Sequence, residues 1–197
     1  MPEGQSAPTI YPGYNLLIAG TMNEDESTQS LSDKVVDRAN ILRFAAPKRL
    51  KKRDESGNPP ARKALLRSQW DNWRREPGAL GRDTSQIGDK IENLASIMRD
   101  LQRPIGHRMG VAIGAYVANY PDLEGRPGIA VPLADQVEMR LLPKLRGVEM
   151  EAAEVHLSKL AQMVDDLGDT ELAAAIEESS ERSAETGQFV WRGASRT

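Results

Sequence analysis

At 197 residues, with 39% hydrophobic, 28% charged and 5% aromatic side chains, the chain can bury one sizeable core or two small ones and leans towards a helical protein. Its 26 Lys and Arg against 29 Asp and Glu, a formal charge of −3, exclude a uniformly basic nucleic-acid binder and leave that role to local patches. There is no Cys, so neither a disulfide framework nor a thiolate metal site is available; the opening MPEGQSAPTIYPG lacks the basic and apolar regions of a secretory leader, and no apolar run approaches the roughly 18–20 residues that cross a bilayer. A cytoplasmic chain with no membrane contact is expected.

Residues 1 to 14, rich in Pro, Gly and Ser, read as a leading loop. Asn15 to Gly20 contains the continuous apolar run Leu16, Leu17, Ile18 and Ala19 between turn formers, which predicts a strand buried on both faces of a parallel sheet. Glu24 to Thr28 supply caps for a helix over Gln29 to Arg38, and Ile41, Leu42 and Phe44 read as a second short strand. The composition then shifts: PKRLKKRDESGNPP places five basic residues between Lys48 and Arg53 and closes on turn formers, which marks an exposed linker.

From there the pattern is helical. Arg62 to Glu76 carries Leu65, Leu66, Trp70 and Trp73 at spacings of three and four. Thr84 to Gln102 carries Ile87, Ile91, Leu94, Ile97, Met98 and Leu101, with Asp83 or Thr84 as the N-cap. A third helix, Gly106 to Tyr120, has small residues for close packing. After a Gly and Pro loop, Pro121 to Pro132, a fourth helix buries Val137, Leu141 and Leu142 and is bent or ended by Pro143. Between Glu149 and Glu185 eleven acidic residues face two basic ones on two amphipathic helices, which reads as a solvated surface over an apolar stripe. GQFVWR, Gly187 to Arg192, predicts a final short strand. His107 and His156 are isolated and suggest no metal site.

The segment NLLIAGTMNEDESTQSLSDKVVDRANILRF, Asn15 to Phe44, resembles the region around sensor 1 of AAA+ nucleotidases, in particular the McrB-like motors of modification-dependent restriction systems. The resemblance implies that Asn23 positions the attacking water near the γ-phosphate, a role that suits a neutral amide because phosphoryl transfer needs orientation and charge stabilisation more than covalent help. It implies that Arg38 is an arginine finger reaching the nucleotide of an adjacent subunit in a ring, with Arg43 as a weaker nucleotide-binding candidate. RPIGHRMGVAIGAYVANY, Arg103 to Tyr120, is similar to the lid helix that carries sensor 2, which assigns that position to Arg108; PLADQVEMRLLPKLRG, Pro132 to Gly147, is similar to a late lid helix. The implied fold is mainly α with a small parallel-sheet remnant: a partial AAA+ α/β core over residues 1–47, a basic linker over 48–60, an all-helical lid over 61–147 and an acidic helical extension over 148–197.

The implied cofactor is ATP or GTP with Mg²⁺, shared with a partner. No G-x-x-x-x-G-K-[ST] phosphate loop and no strand ending in paired carboxylates is present, so hydrolysis by this chain alone is not expected. The resemblance therefore implies an AAA+ partner chain carrying the phosphate loop, in a ring oligomer of the kind that engages DNA and a nuclease subunit. Simpler readings stay open: Asn23 as a turn former, Arg38 paired with Asp33 or Asp37, and the chain as a truncated remnant. The alternative from another class is a non-enzymatic helical interaction module that binds nucleic acid through Lys48 to Arg53, Arg62, Lys63, Arg67, Arg74 and Arg75 beside Trp70 and Trp73, two tryptophans that serve packing in the plainer view.

Overall fold

Apolar residues three and four apart need a helix to share a face, and in the computed structural model they find one. The model describes residues 11–13, 16–23, 31–46, 64–73, 85–121 and 128–195. In chain order these form α1 (Asp33–Val36), α2 (Arg67–Trp73), α3 (Ser85–Asp100), α4 (His107–Asn119), α5 (Ala130–Gln136), α6 (Met150–Asp166) and α7 (Thr170–Ala184). Helix α3 buries Ile87, Leu94, Ile97 and Met98 against α4, which contributes Met109, Ile113 and Val117. Each such side chain taken out of water contributes about 1.5–3 kcal/mol.

Two turns between helices are built alike. After α6, Gly168 has φ +84°; its N–H donates to the Asp165 carbonyl at 2.7 Å, and the Asp169 N–H donates to Val164 at 3.3 Å. This doubly bonded turn satisfies carbonyls that a helix end leaves over. Asp169 then caps α7 by accepting the Leu172 N–H at 3.0 Å. After α3 the same pattern recurs, with Gln102 donating to Arg99 and Arg103 donating to Met98, but the left-handed position is filled by Gln102, φ +57°. A non-glycine residue in that conformation costs about 1 kcal/mol, which the paired bonds and the buried Leu101 offset.

Helix α5 runs on through a π-turn, Val137–Leu141, into a 3₁₀ turn, Leu142–Leu145. Pro143 explains the change of winding, because it has no N–H for the carbonyl of Met139 four residues earlier and its ring crowds that carbonyl. The Met139 oxygen accepts the N–H of Ile41 instead, at 2.9 Å. A helix-breaking proline thereby becomes the anchor for a distant segment.

The chain closes with a strap after α7. Phe189 and Trp191 are fully buried, Phe189 exchanges backbone hydrogen bonds with Gly147 and Val148, and the Val190 N–H donates to the Ser183 hydroxyl at 3.0 Å. The continuous core runs from Ile87 to Ala194. Among the described residues before Ile87, Val36 alone is buried.

The molecule is mainly α, as expected, and the details of its N-terminal part differ from expectation. Leu16, Leu17 and Ile18 are 57%, 77% and 90% exposed and lie outside any strand. A strand buried on both faces needs partners on both edges and a layer on each side, and the described residues supply neither. No sheet forms among them: the backbone pairing consists of isolated bridges, parallel between Phe44 and Ala194 and antiparallel between Glu149 and Gln188. The expected strands at 41–44 and 187–192 are therefore single contacts. The helix expected over Gln29 to Arg38 is observed as the one turn of α1, and that over Arg62 to Glu76 as the shorter α2, whose neighbours Leu65 and Leu66 are exposed rather than packed. The caps at Glu24 to Thr28 and at Asp83 or Thr84, the basic run Lys48 to Arg53, and Arg62, Lys63, Arg74 and Arg75 lie outside the described residues. So does most of the loop between Pro121 and Pro132.

Candidate anion-binding cleft

Residues 41–46 lie across the helical body in extended form, and exposure alternates along them. Leu42 and Phe44 face outwards, while Ile41, Arg43 and Ala45 are half-buried. Four contacts fix the segment and the helical turn before it. Ile41 reaches Met139, as described above. The Arg43 guanidinium donates through Nη1 to the Trp191 carbonyl. Phe44 bridges Ala194. Lys144 in the 3₁₀ turn pairs with Asp37 at the end of α1.

These contacts form one wall of a cleft of about 1110 Å³. Arg43 lines it beside Asn23, which is exposed on the approach. The helical body supplies further lining. Arg103 enters from the doubly bonded turn after α3, Lys144 and Arg146 from the 3₁₀ turn, and Arg192 from the strap. Five cations thus line the cleft, of which Lys144 is paired with Asp37, and Asp33 is the one carboxylate of its described lining. Converging positive side chains in a concave site concentrate field lines and favour an anion, and guanidinium groups match the oxygens of a phosphate in pairs. No group of metal ligands occurs among the described residues.

Asn23 and Arg43, proposed from the N-terminal segment, meet in the cleft. Arg38 and Arg108 are exposed and are absent from its lining. Asp37, one of the partners weighed for Arg38, is taken by Lys144. Arg108 lies in the first turn of α4, whereas Arg103, five residues earlier, is the arginine of that region that faces Asn23's cleft. Arg103, Lys144, Arg146 and Arg192 were not singled out. Each is one cation in its own stretch, and their convergence depends on turns that no local pattern announces.

Four further ionisable groups do not line the cleft. His156 stands 3.6 Å from Asp100, between α6 and α3, and His107 is exposed. Tyr116 donates to Asp135 at 3.1 Å, joining α4 to α5; burial, and then the neighbouring carboxylate, push its phenol well above the ordinary tyrosine range. Burial lowers Arg140, whose Nε has no hydrogen-bond partner.

A helical domain carrying a basic cleft at its edge is the class that fold and site define. The chain belongs to the family described as Domain of unknown function (DUF8727), whose model matches residues 64–189, the helical body without the segment 41–46 and without the end of the strap. No curated protein and no solved structure matches the chain. No helix among the described residues is long and apolar enough to cross a membrane.

Proposed function

We propose that the cleft binds the phosphates of a nucleotide, and that the chain acts as the C-terminal component of an AAA+-type NTPase whose phosphate loop belongs to a partner chain. The observation that carries this reading is the meeting of Asn23 with five cations in one open cleft. Positioned cations and a neutral amide are the groups that phosphoryl transfer uses. The cleft fits the phosphates of ATP or GTP, and Mg²⁺ would rest on those phosphates and on the partner. The exposed apolar run Leu16 to Ile18 is compatible with the same reading, because an uncovered apolar stretch is surface that a partner could bury. In the McrB-like case the assembly is a ring acting on DNA with a nuclease subunit.

Calorimetric titration of the full chain with MgATP, MgGTP and tripolyphosphate at low salt tests the proposal. Saturable binding is expected, weakened by about tenfold or more in Arg43→Ala/Arg146→Ala, since each charge-assisted contact to phosphate is worth about 1.5–3 kcal/mol. The absence of binding to all three ligands sinks it. A single-stranded oligonucleotide that binds more tightly than either nucleotide, with a steep salt dependence, would move the function to nucleic-acid binding by a non-enzymatic helical module.

A further inference from the structure

We infer that Gly193 is the positioning residue of the cleft, and that phosphate occupancy and docking of residues 41–46 against the strap are one coupled event. This rests on the phosphate-binding reading above. Gly193 has φ +90°, a conformation that side chains rarely adopt, and a Cβ at this position would overlap the carbonyl of Arg43 and come within 2.9 Å of the Ala45 nitrogen. The obstacle is backbone, which cannot turn aside as a flexible side chain can. Only glycine lets the strap run this close to the Arg43 peptide. On either side of it, the Trp191 carbonyl accepts from Arg43 and Ala194 bridges Phe44, so the same close approach that seats the segment also fixes the direction of the Arg43 guanidinium.

The cleft is thus divided between two bodies. Arg103, Lys144 and Arg146 belong to the helical body, whereas Arg43 and Asn23 arrive only when the N-terminal segment is docked. A phosphate that bridges both groups binds the docked state more strongly than the released one, and by linkage it must favour docking. Gly193 touches no ligand in this scheme; it acts through Arg43.

Tripolyphosphate titration and amide hydrogen exchange on the full chain provide the test. Gly193→Ala is expected to weaken tripolyphosphate binding by about tenfold, as Arg43→Ala does, while the double variant loses little beyond either single one. Exchange at residues 41–46 rises in Gly193→Ala with helicity retained, and in the unmodified chain saturating tripolyphosphate slows it. If the unmodified chain binds and Gly193→Ala binds equally well, or if ligand leaves exchange at 41–46 unchanged, the inference is overturned. Failure of the unmodified chain to bind tripolyphosphate overturns the phosphate reading and the coupling with it; unchanged exchange in Gly193→Ala then also removes the positioning role. The ligand-protection measurement needs no variant and decides the coupling even if Gly193→Ala misfolds.

Discussion

Tyr116 shows how much one hydroxyl can fix. Its hydrogen bond to Asp135 joins α4 to α5, and the burial that makes the bond strong also keeps the phenol protonated. The folded chain therefore holds this proton at pH values where an unfolded tyrosine, with a pKa of about 10, has released it. Stability from this group is complete below about pH 10 and is lost as the pH climbs towards the raised folded value. Replacing Tyr116 by Phe is expected to cost about 1 kcal/mol at neutral pH and to flatten the alkaline decline. Urea midpoints for both proteins between about pH 8 and 11 check this; parallel declines would mean that Tyr116 does not set the alkaline limit. Gln102 and Gly193 mark another limit of residue-scale reading. A left-handed Gln gives no sign in the sequence, and a glycine near the chain end looks like any other until the peptide it must approach is known.

At the scale of elements, legibility followed the source of each element's stability. The stripe Ile87, Leu94, Ile97 and Met98 makes α3 because its period matches the helix, and that argument needs no knowledge of the partner. Pro143 was readable for the same local reason, although what its missing N–H allows, a bond from Ile41, was not. The run Leu16 to Ile18 misled because an apolar string carries no statement of what covers it. Helix α7 and the strap add a case in which one side chain joins two elements. The Ser183 hydroxyl donates to the Ser179 carbonyl at 2.6 Å and accepts from Val190 at 3.0 Å, in a buried setting. Ser183→Ala leaves the Val190 N–H without its acceptor and is expected to destabilise the chain by about 1–3 kcal/mol, a loss that chemical denaturation would register. Ser180→Ala, next to it but outside the core, should change little; equal effects would show that Ser183 is not the link.

For the molecule as a whole, the core cluster contains no described residue before Ile87, and the family match begins at residue 64. Residues 64–195 alone are accordingly expected to melt cooperatively within about 5 °C of the full chain, because among the described residues what they lose is the burial of Val36 and a few polar contacts. Tripolyphosphate affinity should nonetheless fall by about tenfold or more, as Asn23 and Arg43 are gone. Circular dichroism and calorimetry separate the two outcomes, and a fragment that fails to fold would contradict the placement of the core.

The bond between Arg43 and Trp191 spans 148 positions of sequence. Forming it closes about three quarters of the polypeptide into a loop, and such a closure is entropically unfavourable until the intervening chain has already been shortened by its own helices. The order of assembly follows: the α3 to α7 body consolidates first through near neighbours, and the N-terminal segment is captured last. During refolding the helical signal should thus be complete before the cleft exists, and on the reverse path the cleft is the first feature to be lost.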